Sequence, residues 1–312
     1  MRKHASVSPF APAAPAAGLV AGLAAGLVAT FLAAGPAVGA EPAASQKKPV
    51  RTVSQLQFES WARPDGKDCV YFIKGWAYSF IPGKRPQKLF GYEGFNVRRA
   101  VPTPEKDGYF LSTRELLFYT DPKTGEVIDS FQNPVTGKVN EVFQIQNDPV
   151  NSRVRVRDGK YLSVSMDGKR EYGESAPPTE TADFLVFVGD YFPFYPLPGW
   201  TKDYTASELF DFYVPKANLY DNAPPKVMNS WSRVGPWLPW MEMDGQDGLL
   251  VYHGRSERFE SFDQLPERVR KLTKEKFPKY LTAPATVDPS VPNETSWTFY
   301  NREMARRKAA SK

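Results

Sequence analysis

The chain has 312 residues, with 40 lysine and arginine residues against 35 aspartate and glutamate residues. Its single cysteine excludes an internal disulfide framework and a cysteine-rich zinc site, and its two histidines exclude a histidine-rich metal centre. The apolar fraction of 41% is too high for a disordered chain, and aromatic residues make up 14%. This composition predicts a globular protein that works without a metal or another cofactor.

The first 40 residues are typical of a secretory signal peptide. A basic start precedes an apolar run rich in alanine and glycine at 17–34, and Val38-Gly39-Ala40 has the small residues that a signal peptidase reads. The run is long but weakly hydrophobic, so an uncleaved membrane anchor is the alternative. Arg2-Lys3 is not a twin arginine, which favours the general secretory route. We expect cleavage after Ala40 and a periplasmic or secreted protein without a membrane span.

Cleavage would leave a nearly neutral chain. Arg2 and Lys3 are the only charged residues in the first 40, so the basic count falls from 40 to 38 against 35 acidic residues. This balance gives no support to a nucleic-acid partner, which needs basic residues gathered on one face. The basic cluster at 301–312 is expected to be a solvated tail, and residues 41–52 a disordered segment. Between them we expect one domain at 53–300, of undetermined oligomeric state.

Strand patterns dominate the first part of the domain. Alternating, aromatic-rich runs at 69–80, 89–97 and 109–119 are separated by breaks that contain proline or glycine. This spacing predicts an antiparallel meander. Cys69, at the start of the first run, is expected to be buried as a small hydrophobe and not to act as a nucleophile.

Turn motifs predict a series of hairpins after these strands. The sequences DPKTGE at 121–126 and NPVTGK at 133–138 each combine a side chain that bonds its own backbone with a glycine in the left-handed conformation. Asp-Gly pairs at 158–159 and 167–168 bracket a further strand. Residues 139–146 are predicted to be a strand whose buried, mainly apolar face carries Val139, Glu141, Phe143 and Ile145.

Helix signals are few in this sequence. Residues 207–213 are predicted to form a short helix, and residues 263–277 a longer one that Asp263 caps. The proline density at 174–204 predicts an irregular loop over the sheet. The expected fold class is therefore mainly β: an antiparallel meander forming a curled sheet or barrel-like single domain, with one or two short helices.

The densest aromatic segment, at 229–243, is the main candidate for a ligand site. Its tryptophans and methionines are Trp231, Trp237, Trp240, Met241 and Met243. Such a block forms part of the core, which is the commoner use of aromatic residues, or the wall of an apolar pocket. Arg233 and Glu242 favour the pocket, because they could aim polar groups into it.

Two further residues are candidates for acid–base chemistry. His253 is the only histidine beyond residue 40, although a strand histidine without a role is the simpler interpretation, since no Gly-x-Ser-x-Gly nucleophile motif occurs. Asp148, between Asn147 and Asn151, could bind a cation or act as a base, although a turn before proline is the commoner use. Phosphate-binding glycine loops are absent from the sequence, which argues against a nucleotide cofactor.

Several of these segments, in order, resemble the family called domain of unknown function 1838. Residues 118–126, 133–137 and 147–151 look like its central signature, and residues 231–241 and 292–298 are similar to its C-terminal motifs. The resemblance covers roughly residues 55–300. It implies that the aromatic segment at 229–243, which we call the tryptophan block, the Asn-Asp-Pro turn at 147–149 and residues 293–298 are family features. It implies no activity, because none is established for the family.

Two functional hypotheses follow from the sequence. The first is binding of a small apolar or aromatic molecule in a cavity lined by Trp231, Trp237, Trp240, Met241, Glu242 and Asn147. The second is a cofactor-independent hydrolase, lyase or isomerase, with His253 or Asp148 as acid or base and Arg233 to steady an anion. The second requires these three residues to share one cleft. A third, weaker alternative is an envelope interaction module with an exposed apolar patch.

Overall fold

The computed structural model describes residues 48–195, 197 and 199–311. The predicted signal peptide and residues 41–47 lie outside this range. The described chain is mainly β, and its strands are β1 (Cys69–Phe80), β2 (Gln87–Pro102), β3 (Gly108–Thr120), β4 (Ser130–Gln132), β5 (Val139–Glu141), β6 (Ile145–Asn147), β7 (Ser152–Arg157), β8 (Lys160–Val164), β9 (Glu171–Gly173), β10 (Thr179–Glu180), β11 (Phe184–Tyr191), β12 (Phe194–Tyr195), β13 (Tyr204–Thr205), β14 (Ser207–Pro215), β15 (Met228–Gly235) and β16 (Leu249–Phe259).

Helices are shorter elements that flank the sheet. The α-helices of the described residues are α1 (Val53–Trp61), α2 (Glu267–Lys276) and α3 (Ser296–Ala310). Short 3-10 helices occupy Lys216–Leu219, Pro239–Met241, Phe262–Gln264 and Pro278–Leu281. Helix α1 begins where the Thr52 side chain accepts a hydrogen bond from the Gln55 amide, as expected of an N-cap.

One antiparallel sheet of 12 strands organises the described domain. Its order is β10-β11-β14-β15-β16-β1-β2-β3-β7-β8-β9, with β6 also paired to β3. The pairing of β16 with β1, from Val70 opposite Phe259 to Phe80 opposite Leu249, joins the late strands to the early ones. The predicted mainly β fold with an antiparallel meander is confirmed. The sheet is not closed. Of the two predicted arrangements, a curled sheet or a barrel-like domain, the structure therefore has the open sheet.

Strand register assigns each central side chain to one of two faces, because directly opposed residues in antiparallel strands point the same way. Tyr92 lies opposite Tyr119 and Gly75, and Gly75 and Trp231 both lie opposite Gly254. We call the side of the sheet that carries these residues the inner face. The opposite side is the outer face.

The hydrophobic core is divided between the two faces. At one end of the inner face, Leu56 of α1 packs with Tyr71, Phe187 and Phe212. At the other end, the tryptophan block packs with aromatic residues of β2 and β3 in a cluster that includes Phe90, Tyr119, Trp237, Trp240 and Met241. On the outer face, Val269 of α2 and Leu265, two residues before that helix, cover β1 to β3. The inner face therefore has a core cluster at each end.

The predicted turns are confirmed by their hydrogen bonds. The Asp121 carboxylate accepts from the amides of Lys123 and Thr124, each at 2.8 Å, and the Asn133 side chain accepts from the amide of Val135 at 2.9 Å. Both turns close on a glycine with positive φ, and the hairpin from β7 to β8 turns through Asp158 and Gly159, both with positive φ. Cys69 is fully buried, as expected.

The helix predicted over residues 207–213 is wrong. These residues form β14, which pairs with β11 on one side and β15 on the other. The pattern was ambiguous because Glu208, Phe210 and Phe212 alternate with Ser207, Leu209 and Asp211. In β14 this period of two places the first set on the inner face.

The loop predicted over residues 174–204 and the strand predicted over residues 139–146 also need correction. Prolines occupy only the ends of the first segment, and its proline-free middle forms β11. The second segment is split into β5 and β6, and its expected face is reversed at the start, where Val139 is 67% exposed and Asn140 is 3% exposed. Strand β5 pairs with β4 in a separate two-stranded sheet, and in this pair Asn140 lies opposite the buried Phe131.

Contacts with the folded chain extend on both sides of residues 53–300. Arg51 is buried and joins α1 to the segment after β14: its guanidinium contacts the Glu59 carboxylate at 2.6 Å and the carbonyl groups of Asn218 and Ala223 at 2.8 Å. At the other end, α3 continues to Ala310, and Arg307 contacts Glu141 at 2.8 Å. The predicted basic tail is thus largely part of a helix. The helix predicted over residues 263–277 is confirmed in outline by α2, but the prediction that Asp263 caps it is wrong, because α2 starts at Glu267 after Pro266 and Asp263 lies in the preceding 3-10 helix.

Candidate functional site

A group of side chains on the inner face keeps solvent-accessible area between the two core clusters. Register places all of them on that face, and none is fully buried or fully exposed: Ile73, Glu115, Ile145, Glu208, Phe210 and Trp231. We call the partly open region of the inner face that these six side chains form the inner hollow. Four of the six are apolar, and they pack against the core clusters while keeping accessible area.

The hollow exists because the sheet curls. In sheet order, β3 and β14 are five strand spacings apart, which is about 24 Å in a flat sheet. The Glu208 carboxylate on β14 nevertheless raises the pKa of Glu115 on β3, and the guanidinium of Arg233 on β15 lowers it. The rings of Tyr92 on β2 and Trp231 on β15, three strand spacings apart in sheet order, lie only 5.8 Å apart between their centres, so the sheet curls around its inner face.

Glu115 and Asn147 form one wall of the inner hollow. The two residues are directly opposed on β3 and β6, and the Asn147 amide donates a hydrogen bond of 2.6 Å to Oε2 of Glu115. Burial is the largest influence on this carboxyl and raises its pKa to about 7. The hydrogen bond from Asn147 acts in the opposite direction, because it favours the ionised form. Glu115 therefore changes protonation state near neutral pH.

Glu208 and Arg233 form the facing wall. They are directly opposed on β14 and β15, with 3.7 Å between Oε1 of Glu208 and Nε of Arg233. The Trp231 indole donates to Oε2 of Glu208 at 3.2 Å, and Arg233 donates to the Tyr204 hydroxyl at 2.9 Å. Burial raises the pKa of Glu208, and the charge of Arg233 opposes that shift. Arg233 itself is only 6% exposed, so it contacts Glu208 from the buried side of this wall.

A layer of tyrosines lies beside the hollow. The Tyr92 hydroxyl lies over Gly75 and Gly254, where an added Cβ would come within 2.4 Å and 2.2 Å of the oxygen. The hydroxyls of Tyr92, Tyr119 and Tyr252 are buried without a well-formed hydrogen bond to the described residues. Burial raises the pKa of all three hydroxyls, so they stay protonated. The glycines thus provide the room that this layer needs.

A half-buried cation lies next to Glu115. The guanidinium of Arg98 stacks over the rings of Trp61 and Tyr71, at 5.2 Å and 4.7 Å from their centres. Its Nε and one terminal nitrogen are buried without a hydrogen-bond partner among the described residues. Arg98 lies opposite Thr113, one inner-face position from Glu115, and its charge lowers the pKa of Glu115.

The structure divides the residues predicted to bind a ligand. Trp231 and Asn147 belong to the walls of the inner hollow, as described above. Trp237, Trp240 and Met241 are at most 4% exposed and pack in the core, which is the commoner of the two uses expected for this block. Glu242 lies on the surface, where its carboxylate is 3.6 Å from the Lys138 ammonium.

The three residues predicted to share a catalytic cleft do not meet. His253 and Arg233 are on opposite faces, because Arg233 is opposed to Tyr252 and His253 is opposed to Ser232. Nδ1 of His253 is 3.2 Å from the Ser232 hydroxyl in an exposed contact. Asp148 is held by Arg114 at 3.0 Å and Lys279 at 3.3 Å. No shared acid–base site is formed by this set.

Sequence reasoning missed Glu115 and Glu208, although both could be found from strand periodicity. Glu115 is in phase with Leu117 and Tyr119, and Glu208 is in phase with Phe210 and Phe212. A carboxylate in phase with an apolar face is a sign of a buried charge.

Fold and site together define a class of protein: an open, curled antiparallel sheet whose inner face holds two carboxyls in an apolar hollow. Residues 66–304 match the model of the family described as "Protein of unknown function (DUF1838)". The match covers most of the chain, so the protein belongs to this family. A comparison with curated proteins gave no match. No helix within the described residues is long and apolar enough to cross a membrane.

Proposed function

We propose that the protein binds a small molecule with an apolar or aromatic body in the inner hollow. The observation that supports this is the accessible area kept by Ile73, Ile145, Phe210 and Trp231 on a face that is otherwise packed core. Leaving such side chains uncovered forgoes the favourable free energy of burial, and a ligand of complementary shape would recover it.

Polar groups at the two walls would orient that molecule. Glu115 and Glu208 accept hydrogen bonds, and each already holds one protein donor, from Asn147 and Trp231. Arg233 already contacts the Glu208 carboxylate and the Tyr204 hydroxyl, and it is buried. It is therefore not the direct anchor for an anionic ligand. The hollow therefore favours a neutral ligand with few polar atoms.

Titration with the neutral fluorescent dye N-phenyl-naphthylamine tests this function. We expect saturable binding with a fluorescence increase, and we expect Ile73→Trp to weaken it by about tenfold or more, because the larger side chain fills the hollow. Lys74→Trp is the matched control, since Lys74 is the next residue of β1 and is exposed on the outer face. Absence of saturable binding, or equal loss in both variants, would contradict the proposal.

The protein is proposed to act in the periplasm or outside the cell. The support is the sequence of the first 40 residues, with its basic start, apolar run and small residues up to Ala40. The intact mass of the protein recovered from the periplasm and the medium tests this. A product that begins at Glu41 is the expected result, and a product that keeps the first 40 residues would contradict it.

A further inference from the structure

We propose that the inner hollow is also a site of proton transfer, in which Glu115 removes a proton from a carbon atom of a small neutral carbonyl compound and returns it at another carbon. The substrate class is an apolar ketone or aldehyde with a carbon–carbon double bond at the β,γ position, and the reaction is an isomerisation that moves this double bond to the α,β position. This inference rests on the proposed binding function and adds a reaction to it.

The geometry of the carboxyl group supports this role. Asn147 fixes one oxygen of Glu115 through the 2.6 Å hydrogen bond, while the other oxygen has no hydrogen-bond partner among the described residues. The side chain keeps accessible area and points to the inner face. One oxygen is therefore held in place by the protein, and the other is free to contact a ligand. This is the arrangement that a general base requires.

The surroundings make that free oxygen reactive. Apolar side chains of Ile73, Ile145 and Trp231 share the hollow, and in such surroundings a carboxylate is poorly hydrated and correspondingly basic. Its pKa of about 7 means that both protonation states are populated at neutral pH. The same group can therefore accept the proton in one step and donate it in the next.

The proposed reaction balances without a co-reactant. The Glu115 carboxylate takes a proton from the carbon next to the carbonyl, the C–H electron pair becomes a carbon–carbon double bond, and the carbonyl π pair moves to oxygen as an enolate. With a β,γ double bond in the substrate this enolate is a dienolate; Glu115 then gives the proton to its γ carbon, the double bond comes to lie between the α and β carbons, and the carbonyl is restored. Negative charge thus moves from the carboxyl to the ligand and back.

Two cations act on that charge. Arg98 and Arg233 both favour the ionised form of Glu115. Their fields extend into the same hollow, so they also stabilise the enolate that forms when Glu115 becomes neutral. Both are held in place, Arg98 over two aromatic rings and Arg233 by Glu208 and Tyr204, so their positions need no rearrangement during the reaction.

Nitrobenzisoxazole is a suitable probe, because a base that removes its ring C–H proton breaks the N–O bond and releases a coloured cyano-nitrophenolate. Its entry into the hollow is checked by displacement of N-phenyl-naphthylamine. We expect turnover by the purified protein, and a loss of about a hundredfold or more in Glu115→Gln with dye binding retained. Glu257→Gln, which removes an exposed outer-face carboxyl of β16, should keep full turnover. The rate should rise with pH, with a midpoint at about 7.

The possible outcomes separate this inference from the binding function. Dye binding without turnover above that of free acetate, or turnover that Glu115→Gln leaves unchanged, overturns proton transfer and leaves ligand binding intact. Absence of binding for both dye and probe overturns both proposals. A turnover that follows Glu115 and has the expected pH midpoint supports both.

Discussion

Glu115 and Glu208 lie on strands that are five positions apart in the sheet, yet the charge of Glu208 raises the pKa of Glu115. Both carboxyls lie on the inner face, around which the sheet curls. Each is supported by a neighbour on the adjacent strand, Glu115 by Asn147 and Glu208 by Arg233. Their environments differ, since Glu208 is directly opposed to the cation Arg233, whereas Glu115 is directly opposed to the amide Asn147 and has Arg98 one inner-face position away.

This difference in environment predicts a pH-dependent stability. The pKa of Glu115 is about 7 in the folded protein, against 4.5 as its ordinary value. Between these values the folded state holds a proton that the unfolded state has released, so the free energy of unfolding falls as the pH rises and levels off above about 7. The fall due to Glu115 is on the order of 3 kcal/mol. Denaturant unfolding at about pH 5 and about pH 8 should show it in the wild type and not in Glu115→Gln. Equal falls in both proteins would contradict the assignment.

Loss of the Arg233 cation should be costly. Arg233→Met leaves the partly buried Glu208 carboxylate without its counter-charge and the Tyr204 hydroxyl without its donor, so we expect a loss of about 3 kcal/mol in the free energy of unfolding. Adding Glu208→Gln should recover part of that loss. Arg255→Met is the control, because Arg255 is exposed on the outer face of β16, and it should change stability by less than about 0.5 kcal/mol. Similar losses in the two arginine variants would show that Arg233 is not held as described.

The contact between Tyr92 and Gly254 predicts a double-mutant effect. In Gly254→Ala the new Cβ would lie 2.2 Å from the Tyr92 hydroxyl oxygen, and the overpacking should cost about 1 to 3 kcal/mol. Tyr92→Phe removes that oxygen, which has no hydrogen-bond partner among the described residues, so it should be well tolerated. The double variant should be more stable than Gly254→Ala alone. Chemical unfolding of the four proteins measures the coupling, and additive losses would contradict it.

Local chemistry predicted the turns of this fold but not the order of its strands. Asp121, Asn133 and Asp158 gave correct hairpins because their hydrogen bonds and backbone angles are set within a few residues. The pairing of β16 with β1 joins residues far apart in the sequence, and no local pattern encodes it. Glu115 was missed for the same reason, since its burial depends on the strands that curl over it. The tryptophan block was recognised, but its division between core and hollow depends on the register of β15.

That division can be tested with Trp240 and Trp231. Trp240 is 3% exposed and packs on Phe90, Tyr119 and Phe131, so Trp240→Ala should lower the free energy of unfolding by about 3 to 5 kcal/mol. Trp231 keeps accessible area in the hollow, so Trp231→Ala should cost less stability but weaken binding of N-phenyl-naphthylamine. Thermal unfolding and dye titration of both variants, at a temperature where each is folded, provide the comparison. If Trp240→Ala removed dye binding while Trp231→Ala kept it, the ligand site would lie in the tryptophan block and not in the inner hollow.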